Sequence, residues 1–86
     1  MKHRLKTWPV LFADIEYGVK TFEIRKNDRN FKVGDYLILE EFEPTTQKYS
    51  GNSITVKITY TISLNGLPDF PDNFIGMSIE HIPVIS

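Results

Sequence analysis

Lys20, Glu23 and Arg25 are the residues of this chain whose types and spacing could most readily do chemistry. On an extended strand, Glu23 and Arg25 share a face, about 7 Å apart between α-carbons at a rise of about 3.3 Å per residue. A carboxylate accepts a hydrogen bond from an exocyclic amine, whereas a guanidinium grips a phosphate or a base edge. The pair can address one ligand together. It can also form an exposed ion pair worth under about 1 kcal/mol. Lys20 has the opposite strand parity to Glu23, but it sits where a helix hands over to the strand and the chain need not yet be pleated. Its alternative is a solvated lysine just past a helix end, favoured by the helix dipole. Asn27-Asp28-Arg29-Asn30 follows as turn chemistry, because Asn and Asp side chains bond nearby backbone. Arg29 has no turn duty there and joins the candidates. The histidines are His3 and His81, no cysteine is present and no metal-ligand spacing occurs, so neither a metal nor another cofactor is expected.

These residues need a scaffold that the rest of the chain must supply. His3 to Thr7 reads as a short strand. Trp8-Pro9 opens a helix, since proline suits a first turn, and Leu11, Phe12, Ile15 and Val19 recur at helical spacing. Tyr17-Gly18 ends it. A second strand spans roughly Thr21 to Lys26, with Phe22 and Ile24 on one face and Thr21, Glu23 and Arg25 on the other. A third spans Asp35 to Glu43. A long polar hairpin loop is expected from Glu43 to Asn52, with Tyr49-Ser50-Gly51 at its tip. In the fourth strand Ile54, Val56, Ile58, Tyr60 and Ile62 alternate with polar residues, which predicts one apolar row on the core. The segment from Asn65 to Asn73 is too rich in Pro and Gly for a ladder. Phe74 to Glu80 forms the last strand, continued past a break by His81 to Ile85. Strand, helix and four strands give an α+β fold, a small mixed β-barrel of about five strands with one helix after the first strand.

With 86 residues the chain is expected to form one domain with a thin core. No apolar run approaches the ~20 residues of a membrane helix, and no apolar segment follows the basic start, so a cytoplasmic protein without membrane contact is expected. The net charge of −1 argues against an indiscriminate grip on nucleic acid. That charge is divided, however. Residues 1–32 hold 8 basic and 4 acidic side chains, and residues 33–86 hold 2 and 7, which permits one basic face. Trp8, Tyr17, Tyr36, Tyr49 and Phe70 could offer a stacking platform, although a thin core also needs large side chains.

Gly18-x-Lys20-x-x-Glu23-x-Arg25 resembles the signature of ASCH domains, relatives of the PUA RNA-binding fold. The run from Lys20 to Arg29, with Phe31 and Gly34-Asp35 after it, is similar to a narrower group of small bacterial and phage ASCH-like proteins. His3-x-Leu5-Lys6-x-x-Pro9-x-x-Phe12 fits the start of that group, which adds His3 and Lys6 to the candidates; the alternative for His3 is an ordinary surface histidine. The resemblance implies the PUA-like barrel, with the lysine at position 20 lining a cleft. The function expected is binding of RNA, single-stranded, or of a nucleotide, through Lys20, Glu23, Arg25, Arg29, Lys6 and His3. Some ASCH domains are amidohydrolases of acylated nucleosides with a pattern resembling Gly-x-Lys-Thr-x-Thr-x-Arg. This chain keeps Gly18, Lys20, Thr21 and Arg25 but has Glu23 in place of the second threonine. A protein-interaction module is the third alternative.

Overall fold

Proline and glycine bracket the helix as their chemistry requires. A computed structural model describes residues 1–82. The elements are β1 (Lys2–Thr7), α1 (Pro9–Glu16), β2 (Phe22–Lys26), β3 (Tyr36–Glu43), β4 (Lys48–Ser63) and β5 (Phe74–His81). Pro9 stands in the first turn of α1, where its missing N–H leaves no helical bond unmade. Gly18, at φ 78°, takes the left-handed turn just past the C-cap Tyr17. Phe12 and Ile15 are buried, while Leu11 and Val19 are exposed, so the apolar stripe is narrower than the spacing predicts. Val19 lies beyond the last helical turn, on the link to β2.

The five strands form one mixed sheet in the order β1-β3-β4-β5-β2. β1 runs parallel to β3, and the other neighbours are antiparallel. A parallel pair needs a long crossover, which α1 and β2 provide. The sheet curls into a half-barrel around Leu5, Ile15, Leu37, Leu39, Val56, Ile58, Met77 and their neighbours. Closure is incomplete, because β1 and β2 are both edge strands.

Two irregularities change the predicted faces. Ile58 pairs with Ile79 and Tyr60 with Ser78, so Thr59 is an extra residue bulged out of β4. The bulge reverses the parity beyond it. Val56 and Ile58 are fully buried, but Tyr60 and Ile62 face outward, and the single apolar row expected along this strand is broken in two. The expected loop from Glu43 to Asn52 is likewise shorter, since β4 begins at Lys48. Tyr49 therefore lies opposite Phe42 in a ladder instead of at a hairpin tip. The last strand runs through His81, and residues 83–85 of its predicted continuation lie outside the described residues. Among the described residues no helix is long and apolar enough to cross a membrane.

Candidate functional site

Strand β2 is turned against its own hydrophobic pattern. Phe22 and Ile24 are exposed, and Glu23 between them is only 3% exposed. Burying a carboxylate costs on the order of several kcal/mol unless it is paired and hydrogen-bonded. Glu23 is paired on both oxygens. Lys20 Nζ donates to Oε1 at 2.9 Å, and Arg25 Nε donates to Oε2 at 2.7 Å. The exposed Glu23–Arg25 pair considered from sequence is thus a triad around a buried carboxylate, with Lys20 as its third member. Lys20 Nζ also donates to the Phe22 carbonyl, a local bond made possible where the chain leaves α1 and enters β2.

Arg25 does more than neutralise Glu23. Its Nη1 donates to the Lys6 carbonyl at 3.0 Å, and its Nη2 donates to Thr7 Oγ1 at 3.3 Å. Arg29 Nη1 donates to the Arg4 carbonyl at 2.8 Å. Arg4 and Lys6 are two residues apart on β1, so their carbonyls point the same way. Guanidinium groups from β2 and the turn after it thus bridge the seam where no ladder joins β1 to β2. Asn27 shapes that turn, its Oδ1 accepting from the Phe31 N–H at 3.0 Å.

A recess of about 310 Å³ opens above the triad. The apolar residues Trp8, Leu11, Phe22 and Ile24 line it together with Glu23, Lys20, Arg25 and Lys6. Apolar walls with a few convergent polar groups are the usual make-up of a small-molecule site, and this volume is at the lower end of the usual range. Donor accounting shows what remains available. A guanidinium has five N–H groups and an ammonium three. Arg25 commits three and Lys20 two to the protein, which leaves two and one.

Of the six residues singled out from sequence, the structure brings Lys20, Glu23, Arg25 and Lys6 to this recess. Arg29 lines a neighbouring hollow of about 530 Å³, which Lys6 and Arg25 also border. His3 is brought to neither. It is buried, its Nε2 lies 2.9 Å from Asp35 Oδ2, and its ring meets Phe31 edge-on at 4.8 Å. The hydrogen bond with His3 holds the Asp35 carboxyl below its ordinary value, helped by the terminal amine and the Lys32 N–H and opposed by burial. Thr21 is exposed, and both Glu23 oxygens are already engaged by cations, so the pair does not form a nucleophile with a free base.

Sequence reasoning missed the connection between the aromatic residues. The Phe42 ring lies tilted at 6.0 Å from Trp8 and edge-on at 4.9 Å from Tyr49, with Lys6 Nζ 4.6 Å above it. It also passed over Arg4 and Lys26, which line the second hollow. Lys2-x-Arg4-x-Lys6 alternating with His3, Leu5 and Thr7 was the available signal for a basic face on β1.

Comparisons with known proteins place the chain in a family without assigning it an activity. A search of curated proteins finds no match. Among solved structures, the crystal structure of hypothetical protein PH0355 is similar at a TM-score of 0.65 and 19% identity, over 95% of this chain and 100% of that one. At that identity the likeness concerns the fold alone. The family described as domain of unknown function DUF3850 matches residues 2–79, and the chain belongs to that family.

Proposed function

We propose that the recess over Glu23 binds a nucleotide, free or as part of single-stranded RNA, and that the domain is a binding module of the ASCH, PUA-like kind. The observation that carries this reading is a buried carboxylate, held between two cations, that lines a largely apolar recess together with an exposed tryptophan. Trp8 offers a face on which a base can stack. The uncommitted donors of Lys20 and Arg25 suit the acceptor edge of a base, and the remaining lone pairs of Glu23 suit an exocyclic amine. Glu23 also sets the position of both cations. The Gly18, Lys20, Glu23 and Arg25 motif, similar to that of ASCH domains, supports the same reading.

Trp8 is the chain's one tryptophan, so its fluorescence reports on this recess directly. Titration with the four ribonucleoside monophosphates at low salt is expected to give saturable quenching with at least one of them. Arg25→Ala is expected to abolish it. No change with any of the four, or with short single-stranded RNA, up to millimolar concentration overturns the proposal.

A further inference from the structure

We propose that the hollow farther along the β1–β2 seam is a second nucleotide subsite. The ligand is then a single-stranded segment of at least two nucleotides, one base in the Trp8 recess and the next on Tyr49. This inference rests on the reading of the first recess given above and extends it.

Three observations carry it. The two hollows are adjacent, since Lys6 and Arg25 border both. The second hollow is strongly basic in a chain whose net charge is −1: Arg4, Lys6, Arg25, Lys26 and Arg29 stand against Asp28 and Glu40, a balance of 5 − 2 = +3. Among the described residues Lys6 and Lys26 enter no ion pair, so they are available to a phosphate. Finally, exposed aromatic rings line both hollows, Trp8 at 47% and Phe22 at 50% in the first and Tyr49 at 53% in the second, and buried Phe42 lies between Trp8 and Tyr49. Aromatic platforms along a basic track are the usual means of holding single strands without strict sequence preference. A site for one nucleotide needs only the rings of the first recess. The ring of the second hollow, with unpaired lysines beside it, matches the base and phosphate of a neighbour.

The test compares ribonucleoside monophosphates with the corresponding dinucleoside monophosphates by calorimetry, at low salt, on the full chain. The dinucleotides are expected to bind about tenfold more tightly, the low end of what one stacked base contributes. Tyr49→Ala and, separately, Lys26→Ala are expected to remove that advantage while mononucleotide affinity stays unchanged. Tyr49→Phe should restore it, which separates lost stacking from lost folding. Equal affinity for the two ligand sizes, or an advantage that survives both alanine variants, overturns the second subsite and leaves the first standing. Failure of both ligand sizes to bind overturns both. Binding of an acidic peptide in place of any dinucleotide overturns the second subsite as a nucleotide site.

Discussion

Arg25 ties the candidate site to the seam of the half-barrel: its Nε donates to Glu23 Oε2 at 2.7 Å, and its Nη1 donates to the Lys6 carbonyl at 3.0 Å. One side chain thereby fixes a buried carboxylate and satisfies an unladdered strand edge. Site and architecture are coupled there, which makes the following outcomes measurable.

Glu23→Ala should destabilise the fold by about 2–4 kcal/mol, somewhat less than the loss of one partner from a wholly buried pair, because Lys20 and Arg25 keep some contact with water. Glu23→Gln should cost less, since it keeps the shape and one acceptor. Urea denaturation of the three proteins checks the order. Equal stabilities would mean that the triad contributes nothing to folding.

Arg29→Ala removes the bond to the Arg4 carbonyl from a half-exposed side chain, so a loss of at most about 1 kcal/mol is expected. The local effect should be larger than the global one. Amide hydrogen exchange is expected to quicken in β1 and to stay unchanged in the central strand β4. Uniform acceleration would contradict a role confined to the seam.

The Thr59 bulge can be tested by the faces it sets. Ile58→Ala should cost about 2–5 kcal/mol, as buried truncations do. Ile62→Ser should cost much less, because Ile62 faces outward on the other side of the bulge. In an unbulged strand the two would share a face and both would be expensive.

Asp35 gives a signed pH dependence. Its folded pKa is lowered, chiefly by the hydrogen bond with His3. Its contribution is therefore fully present above the unfolded carboxyl value of 3.8 and is lost as pH falls through the lower folded value. Denaturation at pH 6 and at pH 2.5 should show wild type losing more stability than Asp35→Asn. An identical loss in the two proteins would remove Asp35 from the acid response.

The order of elements was legible because it rests on local signals: Pro9 at a helix start, Gly18 at its end, and alternation in each strand. The motif at Lys20, Glu23 and Arg25 was legible as chemistry, but its burial was not. Ordinary patterning would put Phe22 and Ile24 inside; the reverse is held by local bonds from Lys20 and Arg25 to Glu23 and by long-range bonds from Arg25 across to β1. A bulge is also invisible in alternation, since the row from Ile54 to Ile62 reads as unbroken and the partner strand supplies the mismatch. The burial of His3 was not legible because its partner Asp35 stands 32 residues away.

The most direct test is an amide chemical-shift map of the isotopically labelled chain titrated with ribonucleoside monophosphates at low salt. The account predicts saturable shifts at the Trp8 indole N–H and at the backbone of Lys20, Glu23 and Arg25, absent when Arg25→Ala is titrated in the same way. Shifts that gather instead on the outward face at Tyr60 and Ile62, or no shift at any residue, would contradict it.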